Sequence, residues 1–257
     1  MLAVLSDLLS CKIWYHFIMK FSHLSRVYTT EPLIENQTII VGDEDFHYLK
    51  SVMRLRESES FRLFNENDGE FLVKILTIGR SSLKVVVESL LRRVVEEKTL
   101  ALAMCIIKPD RMLEAIKGAV QLGVTQIIPI ISERTQYKKI AQDKVQRCII
   151  QATEQCERFV PAELLPQMSL SDFCEMDDFE QVIFASESEC ESNKIININK
   201  IKEKAVILIG PEGGFSGHEV EMIKSYKHAL PVSLGRSVLR AETAALAALA
   251  CISMMRN

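Results

Sequence analysis

Two short segments hold the residues best suited to chemistry. The first is Ile209-Gly-Pro-Glu-Gly-Gly-Phe-Ser216, which closes the apolar run Ala205–Ile209. A continuous apolar run of this length reads as a strand buried on both faces. Ser216, with Glu219 three residues later, has the spacing of a capping box, so a helix starts there. Strand, glycine turn and helix start are the usual cradle for a nucleotide-like ligand at the carboxyl edge of a sheet. Gly210, Gly213 and Gly214 would let the backbone approach such a ligand closely. The run matches neither the P-loop pattern nor G-x-G-x-x-G. Glu212 is also a poor neighbour for a phosphate. A cationic, phosphate-free adenosine cofactor suits these residues better than a nucleoside triphosphate or a nicotinamide dinucleotide. A capped turn without any ligand is the competing reading.

The second segment is Pro231–Ala248, where a short strand meets Leu234-Gly235 and a loop leads into a helix crowded with alanines. Arg240 and Glu242 stand at the start of that helix, as a chemical pair or as a plain surface ion pair. Its small-residue face suits close packing of another helix, from this chain or from a partner. A third candidate is Gln151-Ala-Thr-Glu-Gln-Cys-Glu-Arg158. On a helix predicted over Asp143–Phe159, Gln151, Gln155 and Arg158 fall at i, i+4 and i+7 and share one face. That face could meet a nucleobase or phosphate, or simply water.

The elements that must position these residues fall into two groups. From Arg26 to about Leu91 the pattern is short strands with turns: Thr38–Val41, Ser60–Phe64, Glu70–Leu76 and Leu83–Val87. Asn65–Gly69 reads as a hairpin loop, and Phe46–Leu55 as a short helical insertion. This module is charge-balanced, with ten Lys/Arg against eleven Asp/Glu over Lys20–Arg92. Arg92–Lys98 is a polar boundary. Beyond Thr99, strands at Leu100–Ile107, Gln126–Ile131, Val182–Ala185 and Ala205–Gly210 alternate with helices at Arg111–Leu122, Asp143–Phe159, Gly217–Tyr226 and Ala241–Met255. Gly123 is placed to end the first of these helices. Such alternation implies an α/β domain with a mostly parallel sheet.

Composition excludes several classes. A chain of 257 residues with net charge −3 does not advertise itself as a nucleic-acid binder, so any RNA contact must come from local basic patches. Seven scattered cysteines with no C-x-x-C pair argue against a disulfide framework and a zinc site, and fit a reducing cytoplasm. Met1–Ile18 is apolar but lacks a basic start and carries Asp7, so it reads as an extension rather than a signal peptide, with Met19 as an alternative start. No other stretch approaches membrane length.

Taken together, these segments resemble the bacterial small-subunit ribosomal RNA uridine N3-methyltransferase family, of the SPOUT (trefoil-knotted) class. The resemblance rests on Ile209-Gly-Pro-Glu-Gly-Gly-Phe-Ser, Leu234-Gly-x-x-Val-Leu-Arg-x-Glu-Thr-Ala, and Glu154-Gln-x-x-Arg with Pro161 beyond. Lys108–Met112, Leu122-Gly-Val, Ser132-Glu-Arg134 and His47-x-Leu-x-x-Val-Met-Arg54-Leu agree in order. The match spans roughly Arg26 to Ala250, and the two C-terminal motifs jointly are highly specific. The chain departs from the pattern at Ser58, where a turn glycine is common, at Gly118 and Gln121, and at Ser237, with the basic Arg236 one position earlier.

Beyond the extension over residues 1–18, the resemblance implies a PUA-like β-barrel over 19–92 that helps hold RNA, and a knotted SPOUT methyltransferase domain with a mostly parallel sheet over 99–257. It implies S-adenosylmethionine bound in the knot by Glu187, Ile209, Gly210, Pro211, Glu212, Gly213, Gly214, Leu234, Gly235, Val238, Leu239 and Arg240. The implied substrate is a uridine in the decoding region of 16S rRNA, in the small ribosomal subunit, with a homodimer formed through the knot domain. Arg240, then Arg158, is the candidate to stabilise the uridine imide anion; Glu212 is a proton acceptor or a structural carboxylate. Arg26, Lys50, Arg54, Arg56 and Arg134, with Gln155 and Arg158, are the candidate RNA contacts, and Lys138 and Lys139 stand behind them. Other readings are methylation of another RNA position such as a ribose 2′-hydroxyl, or a non-catalytic ribosome assembly factor. The failed dinucleotide fingerprint disfavours a nicotinamide dehydrogenase.

Overall fold

The computed structural model describes residues 21–186 and 194–256. The expected extension 1–18 and the candidate Glu187 lie outside these residues. The chain divides into two compact units between Val95 and Glu96.

The first unit is built on β1 (Arg26–Tyr28), β2 (Thr38–Gly42), β3 (Ser60–Asn65), β4 (Gly69–Ile78) and β5 (Ser82–Arg92), in the sheet order β1-β3-β4-β5-β2. β1 runs parallel to β3 and the remaining pairs are antiparallel. Register shifts along β4 and β5 mark bulges that bend this pair. Phe61, Leu63, Val73, Ile75, Val85 and Val87 form the core. The helical insertion starts earlier than the sequence suggests. It is α1 (Asp43–His47), with three acidic residues in its first turn, followed by a π-helical turn over Tyr48–Val52.

Glu70 is fully buried and gathers three arginines. Arg62 Nη1 lies 2.9 Å from its Oε1 and Arg26 Nε 3.4 Å, while Arg92 pairs with Oε2. The Arg26 guanidinium also stacks 3.3 Å from the Phe64 ring centroid. Arg26, expected on the RNA surface, is therefore a buried structural cation. Arg92 belongs to β5 rather than to a solvated boundary.

The second unit holds a seven-stranded, wholly parallel sheet. Its strands are β6 (Leu100–Cys105), β7 (Gln126–Ile131), β8 (Glu163–Leu164), β9 (Met168–Ser169), β10 (Gln181–Ala185), β11 (Ala205–Ile209) and β12 (Ala229–Val232). They pair in the order β12-β10-β11-β6-β7-β8, and β9 also pairs with β7. The helices are α2 (Pro109–Gln121), α3 (Gln142–Gln155), α4 (Leu170–Glu175), α5 (Gly217–Ser225) and α6 (Ala241–Arg256).

Alternation along the strands divides the core. Leu100, Leu102, Met104 and Ile207 pack with α2, α3 and α6, whereas Ala101, Ala103, Val206 and Leu208 pack with α4 and α5. Gly123 ends α2 in a Schellman motif at φ +91°: Val124 N donates to Ala119 O and Gly123 N to Val120 O. On α6, Ala241, Ala244, Ala245 and Ala248 are buried in this chain's own core. A Cβ on Gly118 would come within 2.5 Å of Leu246 Cδ2, so the departure at Gly118 lets α2 and α6 approach closely.

Helix α3 ends at Gln155, earlier than predicted, because Glu157 takes φ +60° and turns the chain back. Arg158 is thereby removed from the Gln151–Gln155 face. Among the described residues, no helix is long and apolar enough to cross a membrane.

Candidate active site

The carboxyl ends of β10, β11 and β12 lie side by side, with Phe184 registered against both Leu208 and Pro231. They open into a cavity of about 430 Å³. Each wall follows from local sequence.

β11 ends at Ile209, and Pro211–Gly214 form a tight turn closed by Gly214 N donating to Pro211 O at 2.9 Å. Gly214 sits at φ +66°, a conformation that favours glycine. Gly210 is needed for another reason: a Cβ there would stand 3.1 Å from Phe215 Cε2. Phe215 and Gly210 both line the cavity. The expected capping box then starts α5. Glu219 N donates to Ser216 Oγ at 3.2 Å, and Ser216 N donates to Glu219 Oε2 at 2.8 Å.

β12 leads through Ser233 into the Leu234–Arg240 loop. Gly235 takes φ +119°, with nothing near a would-be Cβ. Arg240 O accepts the first helical bond of α6, from Ala244 N at 2.8 Å, so Arg240 stands at the N-cap with its side chain exposed. Glu242 pairs instead with Arg111, at 3.7 Å. The Arg240–Glu242 surface pair is not formed.

Of the residues expected to hold the cofactor, Ile209, Gly210, Pro211, Glu212 and Gly214 line the cavity from one side. Leu234, Gly235, Val238, Leu239 and Arg240 line it from the other. Gly213 is not in the lining; a Cβ on it would face Arg134 at 3.7 Å. Sequence reasoning missed the third wall, Phe184, Ala185 and Ser186, and also Phe215, Val220, Ser233, Ser237, Ala241 and Ala244. The strand signal at Val182–Ala185 was legible, but not its place beside β11 and β12. Among the described lining residues, Glu212 is the one carboxylate and Arg240 the one cation. Glu212 is exposed at this wall, not a buried structural group.

Arg158 is elsewhere. Its Nη1 donates to Val120 O at 2.9 Å and Val124 O at 2.7 Å, and its guanidinium pairs with Glu97. It caps the C-terminal turn of α2 and is committed to that role. Arg134 donates to Gly213 O at 2.9 Å. Gln155 is exposed at the end of α3. Lys50, Arg54 and Arg56 are exposed around the π-helical turn, and Lys50 lies 4.8 Å from the Phe46 ring centroid. Behind the cavity wall, burial pushes the Cys105 thiol up to about 11, against the opposing effect of the Ser132 and Thr135 hydroxyls. It stays a neutral thiol at physiological pH.

Comparison with known proteins agrees with this geometry. Residues 95–253 match the family model described as an RNA methyltransferase domain, and residues 41–88 match an RNA methyltransferase PUA domain. The chain is 38% identical over 234 residues to the ribosomal RNA small subunit methyltransferase E of Rickettsia conorii, covering 90% of this chain and 96% of that protein. A methyltransferase from Legionella pneumophila, solved with its bound cofactor SAM, superposes with TM-score 0.81 at 28% identity, over 90% of this chain and 98% of that one. The ribosomal RNA small subunit methyltransferase E of Neisseria gonorrhoeae, bound to S-adenosyl methionine, gives TM-score 0.80 at 27% identity with the same coverage. A PUA domain, a parallel α/β domain and a cavity lined by both signature loops thus occur together, and the chain belongs to the ribosomal RNA small subunit methyltransferase E family.

Proposed function

We propose that this protein methylates N3 of a uridine in the decoding region of 16S rRNA, in the small ribosomal subunit, using S-adenosylmethionine. The observation that carries the reading is the convergence of the Gly210–Gly214 and Leu234–Arg240 loops on one cavity at the carboxyl edge of the sheet. The lining suits this cofactor. Phe215, Leu234, Val238 and Leu239 offer apolar surface for a base, Ser186 and Ser233 offer hydroxyls, and Glu212 favours a cation over a phosphate. Bound S-adenosylmethionine supplies an electrophilic methyl group.

The protein's remaining task is to hold uridine and help it lose the N3 proton. Arg240 can stabilise the imide anion by aiming its guanidinium at the uracil carbonyls. Glu212 is the candidate proton acceptor on the opposite wall. Neither step asks anything of Arg158. Lys50, Arg54 and Arg56 are the proposed phosphate contacts of the PUA domain, and Gln155 a further polar contact. RNA affinity should then fall steeply with salt as counterions are released. The family resemblance further suggests a trefoil knot in the second domain, a homodimer paired through it, and action in the cytoplasm.

Calorimetry on the purified protein tests the cofactor assignment: S-adenosylmethionine binds and ATP does not. Arg240→Ala should then lower kcat by about 10²–10³-fold at saturating cofactor, a loss beyond any weakening of cofactor binding from its place in the cavity lining. Full turnover in that variant would remove Arg240 from the mechanism.

A further inference from the structure

The turn after β7 reaches across to the glycine loop. Ser132 and Thr135 lock this turn internally: Ser132 N donates to Thr135 Oγ1 at 2.9 Å, and Thr135 N donates to Ser132 O at 3.2 Å. The rigid turn presents two donors to the loop after β11. Glu133 N donates to Glu219 Oε1 at 2.7 Å, while Oε2 of the same carboxylate accepts from Ser216 N. Arg134 Nη1 donates to Gly213 O at 2.9 Å and reaches Phe215 O at 3.5 Å. The carbonyls of Gly213 and Phe215 and the amide of Ser216 are therefore all held from outside the cavity.

We infer that Arg134, with Glu219 behind it, is a positioning residue that holds the Gly210–Gly214 loop in its cofactor-binding shape. This rests on the cofactor assignment above. A glycine-rich turn has much conformational freedom to lose on binding. A guanidinium N–H group that fixes the turn's carbonyls in advance lowers that cost, which appears as affinity. Arg134 reaches these carbonyls from the side of the turn away from the ligand, consistent with Gly213 lying outside the cavity lining. The contact is exposed, so its loss should cost the fold little.

The experiment compares wild type, Arg134→Ala and Arg134→Lys in three readouts: S-adenosylmethionine Kd by calorimetry, thermal midpoint, and amide hydrogen exchange at Gly214 in ligand-free protein. For Arg134→Ala, the expected result is a Kd raised about tenfold, near 1.4 kcal/mol. Gly214 exchange should be faster, and the midpoint nearly unchanged. Arg134→Lys, whose ammonium can donate to the same carbonyls but ends a shorter side chain without the guanidinium's fixed planar geometry, should recover only part of the affinity. Wild-type affinity and exchange in Arg134→Ala, with a shallower salt dependence of RNA binding, would overturn the inference and return Arg134 to the phosphate contacts. Failure of the wild type to bind S-adenosylmethionine would instead overturn the cofactor assignment, and this inference with it.

Discussion

Replacing Gly210 by alanine tests the shape of the cofactor loop with a single methyl group. Gly210 is not at a positive φ, so the backbone accepts alanine and the effect is steric. The new Cβ would lie 3.1, 3.3 and 3.4 Å from Phe215 Cε2, Cδ2 and Cζ, against ordinary contacts of 3.4–4 Å. Phe215 must therefore shift by a few tenths of an ångström. Its backbone is tied at Ser216 by the capping box, so the ring has to turn, and it is itself part of the cavity lining. Overpacking of this kind costs about 1–3 kcal/mol. If that strain falls mainly on the ligand-ready shape, S-adenosylmethionine binding weakens about 5- to 150-fold. Calorimetry reads this directly. The double variant Gly210→Ala/Phe215→Leu removes most of the clash, and its loss should be clearly smaller than the sum of the two single losses. A Gly210→Ala protein with wild-type affinity and thermal midpoint would refute the reasoning.

Three other outcomes are expected. Ser58 sits at φ +70°, which costs a side-chain-bearing residue about 1–2 kcal/mol, while glycine costs about 0.5–1 kcal/mol in chain entropy; Ser58→Gly should therefore raise the urea midpoint by roughly 0.5–1 kcal/mol of stability, and a lower midpoint would contradict it. Arg158→Ala should cost about 1.5–3 kcal/mol in denaturant unfolding through its lost bonds to Val120 and Val124. It should leave kcat unchanged; a fall in kcat at unchanged stability would restore a catalytic role. The raised Cys105 thiol predicts that stability falls with pH, because the unfolded thiol ionises first, near pH 9, and the folded one only at about 11. The Cys105 share of that loss, about 2–3 kcal/mol, should be missing in Cys105→Ala, leaving a shallower slope from the other, partly buried thiols and tyrosines, and an identical slope in that variant would exclude Cys105 as a contributor.

Features that depend on a few adjacent residues were readable from the chain alone. The capping box at Ser216 and Glu219, the stop at Gly123, and the buried strands β6 and β11 each follow from local rules, and each forms. The glycines of the two proposed cofactor loops were also legible as turn residues, since Gly214 and Gly235 answer positive φ values that other residues resist. What escaped depends on distant partners. Arg26 looks like any basic surface residue until Glu70, forty-four positions later, is placed beside it in the sheet. Arg134 meets Gly213 across 79 positions, and Arg158 meets Val120 across 38. Strand order, not strand content, sets Phe184–Ser186 against the other two walls. β1, β8 and β9 are two or three residues long, too short to show a period. The end of α3 carried no local signal: Pro161 is equally compatible with a helix running to Phe159, and the actual stop is the positive φ of Glu157, a residue type that does not announce it.

The central claim is tested most directly by label transfer. Purified protein is incubated with radiolabelled S-adenosylmethionine and small ribosomal subunits lacking the modification, and the RNA is digested to nucleosides. Label in 3-methyluridine, abolished or strongly reduced in Arg240→Ala, is the predicted result. Label in a ribose-methylated nucleoside would keep the methyltransferase and discard the N3 assignment. No label, from protein that binds neither S-adenosylmethionine nor S-adenosylhomocysteine, would contradict the account at its base.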